Sequence, residues 1–467
     1  MDMVIILHIL HSHVFPQIGN FCDGDYIKPS QTPLGSAFLY PHTNNSTRAS
    51  VSMTPENTPV VQLVQGAFRG EFNGSIYVFR GLPYARSSRF GAPTAPPFHD
   101  GIQSAVVRGA LCPQLPSRLE MVMGPIPSEM TMSEDCQNVS IFSPDLAGRQ
   151  AVMVWFHGGA YVSGGGEISW YDADMLAAEG SVVVVTVTYR LGAFGYLCPP
   201  EEKGVMNAGL LDQVAALEWV QKNIEKFGGD PENITIFGQS AGGHAIAQLI
   251  NQAPDLFHRC IIQSAPFAIQ NTKSQAQEVY QSFTKALGVD PSVATVDQML
   301  HAQSIVLSTS SLALPFSPII NKSDLSSLKQ TKPHDMLIGW TKHDGGPFVI
   351  MRRGNNAKGY GSVIDRILTA ITTSVNFARP ARRFARRSRE AGNTVALYAI
   401  SWCPQGSAFG APHCVELPLL FGNQQAWQRS PMLGTEQWAE IHQRGRNLRA
   451  AWTTFAREGS FRQPKAI

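Results

Sequence analysis

The sequence has little charge and no long apolar run. Charged residues make up 15% of the 467 residues, and the formal net charge is +2, which excludes a nucleic-acid-binding protein that relies on overall positive charge. The arginine-rich run at 379–389 is a local exception, and it favours the exposed face of a helix anchored by Phe384 over a docking patch for an acidic partner. No apolar stretch reaches the ~18 residues that a membrane span needs. The 43% of hydrophobic residues suffice for a large globular core.

Cysteine is scarce, and its count is odd. Seven cysteines are too few for a disulfide-rich scaffold and cannot all pair within the chain, so they leave the compartment open. The apolar N-terminal stretch has no Lys or Arg before it and no small-residue cleavage site, which makes it a poor secretory signal and favours a cytoplasmic location over secretion. We expect residues 1–52, which lack sustained periodicity, to be a disordered or processed extension, and residues 53–467 to form the domain.

The patterns of metal and phosphate sites are also missing. The chain contains no HExxH motif and no Cys/His set with the spacing of zinc ligands. The glycine-rich stretch FHGGAYVSGG (156–165) is not followed by the Gly-Lys-Ser/Thr of a phosphate-binding loop. The sequence therefore predicts no metal site, and the chemistry described below requires no cofactor.

Apolar runs alternate with helical patterns along the chain. Residues 207–227 carry apolar side chains at helical spacing, with Asn207 as the expected N-cap. Runs that are continuously apolar, as expected of buried strands, occur at 150–160, 180–192, 234–239, 259–265, 335–340 and 394–401. Such strands alternating with helices predict an α/β fold whose mostly parallel sheet is covered by helices on both faces.

The stretch ITIFGQSAGG (234–243) places Ser240 between Gly238 and Gly242 at the end of a predicted strand. A strand, a sharp turn and a helix form the context in which G-x-S-x-G exposes a nucleophilic serine. A tight turn that merely needs small residues is the alternative, and the flanking elements favour the nucleophile. The N–H of Ala241, at the start of the following helix, would then point into the same space as the serine hydroxyl.

A serine nucleophile also needs donors for the oxyanion that forms when it attacks a carbonyl. The stretch 156–165 follows a predicted strand, and its small residues leave backbone N–H groups free to face a ligand. It matches the HGGG-type oxyanion loop with alanine in the last place. The expected donors are Gly159 and Ala160, with Gly158 as a further candidate.

These motifs belong to a longer pattern. From about Val61 to Phe455 the chain resembles the type-B carboxylesterases, the cholinesterase-like members of the α/β-hydrolase superfamily, and among them the bacterial carboxylesterases. The resemblance implies an α/β-hydrolase fold and hydrolysis of small-molecule carboxylic esters through an acyl-enzyme. The matching segments are 79–85, 133–136, 187–197, 207–243 and 263–267.

The resemblance also implies the partners of Ser240. The segment GWTKHDGGPF (339–348) stands where the family carries its acid, and Asp344 replaces the usual glutamate. An Asp-Gly turn without a catalytic role is the alternative. The segment GAPHCVELPLLFG (410–422) puts His413 in the place of the family histidine. The order Ser240, Asp344, His413 is the order that α/β-hydrolases use.

The sequence departs from the cholinesterases around the alcohol group. Cys112 and Cys136 match the pair that closes a loop in secreted members, which implies a possible disulfide. In cholinesterases this loop carries a tryptophan for the quaternary ammonium, whereas residues 113–135 contain no Trp, Tyr or Phe. Gln239 stands where cholinesterases have a glutamate. We therefore expect uncharged esters to be preferred over choline esters.

Two other functions remain open at this stage. A catalytically silent adhesion or binding module, as in neuroligin-like relatives, would lack a member of the Ser-His-acid set, and here all three positions hold competent residues. The same chemistry could also serve amides, carbamates or lipid esters, which the sequence does not distinguish.

Overall fold

The computed structural model describes residues 58–269, 271–319, 332–354 and 359–461. The expected extension at 1–52 lies outside the described residues. The strands, in chain order, are β1 (Val60–Leu63), β2 (Gly66–Arg69), β3 (Glu71–Phe72), β4 (Tyr77–Pro83), β5 (Ile102–Ser104), β6 (Asn138–Ser143), β7 (Gln150–Phe156), β8 (Val183–Val187), β9 (Gly229–Gln239), β10 (Arg259–Gln263), β11 (Asp335–Thr341) and β12 (Thr394–Ile400).

A nine-stranded sheet forms the centre of the molecule, in the order β12-β11-β10-β9-β7-β8-β6-β4-β3. The six strands from β12 to β8 are parallel, and the remaining three pair antiparallel. A smaller sheet has the order β1-β2-β5. The mostly parallel sheet predicted from the continuous apolar runs is therefore confirmed.

Helices connect the strands and cover the sheet. Residues 363–390 form one continuous helical segment. Its middle turn, Ser374–Ala378, is π-helical. Short 3₁₀ helices span Ser169–Tyr171, Glu201–Lys203, Ile224–Phe227, Pro254–Leu256, Gly359–Gly361 and Pro431–Leu433. The α-helices are α1 (Glu120–Met123), α2 (Asp174–Gly180), α3 (Gly192–Tyr196), α4 (Ala208–Asn223), α5 (Ala241–Gln252), α6 (Lys273–Leu287), α7 (Val296–Thr309), α8 (Gly346–Arg353), α9 (Val363–Thr373), α10 (Arg379–Glu390), α11 (Leu417–Phe421), α12 (Gln424–Trp427) and α13 (Trp438–Glu458).

Two sequence predictions about helices have different outcomes. The arginine-rich run forms α10, and Phe384 is buried and stacks on Phe267 at 4.5 Å between ring centroids, as expected. The helix predicted at 207–227 forms as α4 with a 3₁₀ extension, and Asn207 is its N-cap residue as predicted, but the Asn207 side chain makes no capping hydrogen bond. Its side-chain amide instead pairs with both backbone groups of Ile319, at 2.9 and 2.8 Å. Because Asn207 Oδ1 accepts a hydrogen bond from the Ile319 amide, it does not accept one from the first turn of the helix.

Both faces of the central sheet are buried. Alternate residues of β7 show this, because Val154 and Phe156 belong to one hydrophobic cluster while Met153 and Trp155 belong to the other. A strand covered on both faces is expected to be apolar throughout rather than alternating, which is the pattern of β7 and β8. In the ranges that the structure describes, the helices fall short of the length and apolarity of a membrane crossing.

The parallel arrangement decides where a site can form. Strands β7, β9, β10, β11 and β12 are neighbours that run in one direction, so their carboxyl ends lie along one edge of the sheet. The loops that leave this edge carry the residues singled out by sequence. Open α/β sheets bind their ligands at this edge.

Candidate active site

Ser240 sits in a sharp turn between β9 and α5. Its backbone has φ 57° and ψ −119°, a conformation that non-glycine residues rarely adopt and that occurs where function requires it. A Cβ at Gly242 would overlap the carbonyl oxygen of Phe156, and one at Gly238 would lie 2.8 Å from the backbone of Gly242. The two glycines of the motif are therefore needed for the turn itself. The strain at Ser240 is what a nucleophile elbow requires.

His413 and Asp344 form a buried pair. His413 Nδ1 lies 2.7 Å from Asp344 Oδ1, and both side chains are fully buried. The second oxygen, Asp344 Oδ2, accepts hydrogen bonds from Ser264 Oγ at 2.8 Å and from the Thr341 amide at 2.9 Å. The carboxylate is thus held on both sides. With Nδ1 donating to this carboxylate, Nε2 is the ring nitrogen of His413 that carries the lone pair.

The second ring nitrogen of His413, Nε2, lies beside the turn that carries Ser240. Gln239, the residue before Ser240, is buried, and its Nε2 lies 3.0 Å from His413 Nε2. No hydrogen bond joins Ser240 Oγ to His413 in the described part of the chain. The structure therefore brings Asp344 and His413 together directly, and it brings His413 next to the turn that carries Ser240. Hydrogen bonds between nucleophile and base are often long without substrate and shorten when it binds.

Three of the four expected oxyanion donors line a pocket with Ser240. These are Gly159, Ala160 and Ala241, and no hydrogen bond within the described ranges occupies their amides. Gly159 has φ 112°, and a Cβ there would overlap the carbonyl oxygen of Ser163, so this loop geometry needs glycine. The fourth, Gly158, is not among the residues that line the pocket. It packs instead against the backbone of Gln239.

The pocket beside Ser240 is mainly apolar. Its walls include two phenylalanines, and Arg118 is its one charged side chain among the described residues. Such a pocket suits a small organic ligand with few polar groups. The lining residues are Ser117, Arg118, Leu119, Gly159, Ala160, Ser163, Ser240, Ala241, Pro266, Ile269, Leu314, Phe348 and Phe377.

Several neighbours of the buried pair were not expected from the sequence. Ser264 follows β10, which lies between β9 and β11, so the strand order would have placed it beside Asp344. The rings of Phe348 and Phe377 lie 5.3 Å from the His413 ring and enclose it. Phe377 belongs to the π-helical turn, a type of irregularity that is frequent at functional sites. No sequence pattern indicated that turn.

Glu416 is a second buried carboxyl group near the pair. Burial, together with the negative charge of Asp344, raises its pKa to about 8. The Gln263 side-chain amide donates to its Oε1 at 3.4 Å, while Oε2 has no hydrogen-bond partner. Glu416 is therefore a neutral acid below pH 8, whereas Asp344 makes the hydrogen bond to His413.

Comparison with known proteins identifies the family. A sequence profile of the Carboxylesterase family matches residues 57–367, more than half of the chain. The chain belongs to the carboxylesterase family. It is 37% identical over 425 residues to the probable N-octanoylanthranilate hydrolase AqdA2 of Rhodococcus erythropolis, covering 85% of this chain and 93% of that protein.

A second relative and a solved structure agree with this assignment. This carboxylesterase is 31% identical over 447 residues to the para-nitrobenzyl esterase of Bacillus subtilis strain 168, covering 86% of this chain and 90% of that protein. A solved PNB esterase is similar at a TM-score of 0.75 and 30% identity, over 87% of this chain and 92% of the other. The α/β-hydrolase fold and the resemblance to bacterial carboxylesterases are confirmed. The protein is a carboxylic-ester hydrolase.

The cysteines that match the family's loop pair are free thiols in this carboxylesterase. Both Cys112 and Cys136 are buried and unbonded, so the disulfide implied by the resemblance is not formed in the structure. The amide of Leu191 donates to Cys112 Sγ at 3.2 Å. The pKa of Cys136 is raised, mainly by a hydrogen bond between its thiol and that of Cys112. The two thiols are therefore adjacent in the structure, without a bond between their sulfur atoms.

We predict that Glu416→Gln changes the pH dependence of stability. The folded-state pKa of Glu416, about 8, lies above the ~4.3 of an unfolded glutamate. Between these values the folded protein holds a proton that the unfolded chain has lost, so this group's contribution to the free energy of unfolding falls as pH rises. Glutamine does not titrate, so the variant does not lose this contribution to the free energy of unfolding as the pH rises. In thermal melts, the melting temperature of the variant relative to the wild type should increase as the pH rises from 5 to 9. A difference in melting temperature that does not change with pH would contradict the raised pKa of Glu416.

Proposed function

We propose that this carboxylesterase hydrolyses its esters through a Ser-His-Asp triad of Ser240, His413 and Asp344. The observation that carries the proposal is the buried hydrogen bond from His413 Nδ1 to Asp344, at 2.7 Å, with the other ring nitrogen beside the strained serine turn. A base oriented by a carboxylate next to an exposed hydroxyl is the arrangement that activates a serine.

In the proposed mechanism the ester is cleaved in two steps. His413 Nε2 takes the proton of Ser240 as its Oγ attacks the ester carbonyl, and Asp344 stabilises the resulting imidazolium. The carbonyl oxygen becomes an oxyanion, which the free amides of Gly159, Ala160 and Ala241 can bind. The imidazolium then protonates the leaving alcohol. Water, activated by the same base, hydrolyses the acyl-enzyme and restores the serine.

Serine and base must come into contact for the first step. In the structure the Gln239 amide occupies the lone pair of His413 Nε2. Gln239 and Ser240 are adjacent in sequence, so rotation of the Gln239 side chain would give the serine hydroxyl access to the nitrogen. The proposal therefore includes an exchange of hydrogen bonds on substrate binding.

The pocket supports a preference for uncharged over choline esters. Its one charged group among the described residues, Arg118, repels a quaternary ammonium, and the rest of its wall is mainly apolar. The absence of an aromatic residue from 113–135 removes the cation–π contact that cholinesterases use.

We predict that 3,3-dimethylbutyl butyrate is a better substrate than butyrylcholine, its cationic isostere. The kcat/KM of the neutral ester should be higher by about 10-fold, because the two differ only in the charge that meets Arg118. Release of butyric acid measured at constant pH gives both rates. A higher kcat/KM for butyrylcholine would contradict the preference.

One relative gives a reason to test a second bond type. The Rhodococcus relative is named a hydrolase of N-octanoylanthranilate, and an N-acyl bond is cleaved by the same acyl-transfer chemistry. Comparing 4-nitrophenyl butyrate with N-(4-nitrophenyl)butyramide separates an esterase from an amidase. Failure to cleave either, by folded protein, would favour the silent binding module.

A further inference from the structure

The pocket of this carboxylesterase is lined by an arginine that forms no ion pair within the described residues. Arg118 lines the same pocket as Ser240, and no carboxylate in the described ranges forms an ion pair with it. Arg190, which is buried, differs in having an ion pair with Asp212 at 2.7 Å, whereas Arg118 is exposed on the pocket wall. An arginine left without an anion beside a reactive serine is available to a ligand.

The backbone that carries Arg118 is tied to the oxyanion loop. Gln114 donates to the carbonyl of Gly164 at 2.8 Å and accepts from its amide at 2.6 Å. On the other side of Arg118, the carbonyl of Val122 accepts a hydrogen bond from Ser430 Oγ at 3.0 Å, and Val122 is fully buried. The turn at Arg118 is therefore fixed relative to Gly159 and Ala160, although the arginine side chain itself is exposed.

The environment of the guanidinium favours an anion. The Arg118 side chain is exposed on the pocket wall, so its guanidinium is accessible to an anionic group of a ligand. Guanidinium groups bind carboxylates through two parallel hydrogen bonds. The remaining wall, including Leu119, Ile269 and Phe348, is apolar and can hold the carbon chain between the ester and the anionic end.

We infer that Arg118 forms an anion subsite, and that this carboxylesterase takes esters whose acyl or alcohol part carries a carboxylate. The inference rests on the proposed function, since it places the substrate ester at Ser240. It agrees with the expected rejection of choline esters and extends it, because an anionic group should improve a substrate and not merely be tolerated.

Matched substrates test the subsite on both sides of the ester. For the acyl side, the pair is mono-4-nitrophenyl glutarate and its neutral methyl ester. For the alcohol side, the pair is 3-carboxyphenyl butyrate and 3-carbamoylphenyl butyrate. The wild type should show a kcat/KM ratio of anionic to neutral ester of about 10 on at least one side, since hydrogen bonds to charged groups contribute this much. The ratio should fall as salt is added.

Variants then assign the preference to Arg118. Arg118→Gln should reduce the anionic-to-neutral ratio to near 1, and Arg118→Lys should keep part of it. Arg383→Gln, on the exposed face of α10, makes the same change in charge away from the pocket and should leave the ratio as it is. Because a ratio is compared, a general loss of activity in the variant cancels. An unchanged ratio in Arg118→Gln on both sides would overturn the subsite.

Binding to an inactive variant separates the subsite from the catalytic proposal. Titration of Ser240→Ala with glutarate monomethyl ester and with dimethyl glutarate measures affinity without turnover. Tighter binding of the anionic ligand, lost on adding Arg118→Gln, supports the subsite even if the proposed triad were wrong. Equal affinities would overturn the subsite even if Ser240 proved essential for hydrolysis.

Discussion

Ser240→Ala should lower kcat for 4-nitrophenyl butyrate by about 10³-fold or more and leave the protein folded. In the proposed mechanism the Ser240 hydroxyl is the group that forms the acyl-enzyme. Cys414 is a thiol next to His413, but it is buried, and burial raises its pKa well above the ordinary value, so it is no substitute nucleophile. Release of nitrophenolate under saturating substrate measures the effect.

The control for this variant removes a hydroxyl elsewhere. Ser304 lies on α7, and its hydroxyl bonds only the backbone of its own helix, at 2.7 Å from the carbonyl of His301. Ser304→Ala should keep full activity. Alanine at 240 retains the turn and its strain, so the melting temperature of Ser240→Ala should stay close to that of the wild type. A rate within tenfold of the wild type would rule out Ser240 as the nucleophile.

The sequence predicted where the candidate site residues lie in the fold, but not which atoms they contact. Ser240, Asp344 and His413 lie in loops after β9, β11 and β12, and strands of continuous apolarity predicted the parallel sheet that brings these loops to one edge. Local patterns report strand type and loop position in this way. They do not report which atoms meet across loops, so the contact between Gln239 and His413 could not be predicted.

The differences between the sequence expectations and the structure have a common physical origin in tertiary contacts. Asn207 has the residue type of an N-cap, yet the backbone of Ile319 takes its side chain. Gly158 belongs to the glycine run, yet the turn at Gly159 directs the next residue, Ala160, into the pocket instead. Arg118 lies in a segment without any motif. Its place in the pocket follows only from the fold, which brings residues 117–119 into the same pocket as Ser240.

The two buried carboxyl groups divide their roles by environment. Asp344 accepts hydrogen bonds from Ser264 and Thr341 and contacts His413, and these contacts fix its carboxyl group against the imidazole. Glu416 accepts a long hydrogen bond from Gln263, and burial is the main cause that raises its pKa to about 8. In the proposed mechanism Asp344 orients His413, whereas Glu416 is mostly neutral at pH 7.

Asp344→Asn should therefore lower kcat by about 10³- to 10⁴-fold, with little change in KM. The amide is the same size as the carboxylate, but it cannot stabilise an imidazolium, and its NH₂ group disfavours the tautomer with a proton on Nδ1. His413 Nε2 then no longer presents a lone pair to Ser240. The rate of 4-nitrophenyl butyrate hydrolysis at pH 7 measures the loss.

Glu416→Gln is the matched control, because it makes the same carboxyl-to-amide change in the same buried region. At pH 7 the Glu416 carboxyl group is mostly protonated, given its pKa of about 8, so glutamine replaces one neutral group by another. Its kcat should stay within a few-fold of the wild type. If Glu416→Gln instead lost as much activity as Asp344→Asn, the acid of the triad would have to be sought at 416. The hydrogen bond between Asp344 and His413 would then have only a structural role, and Glu416 would be the counterpart of the glutamate typical of the family.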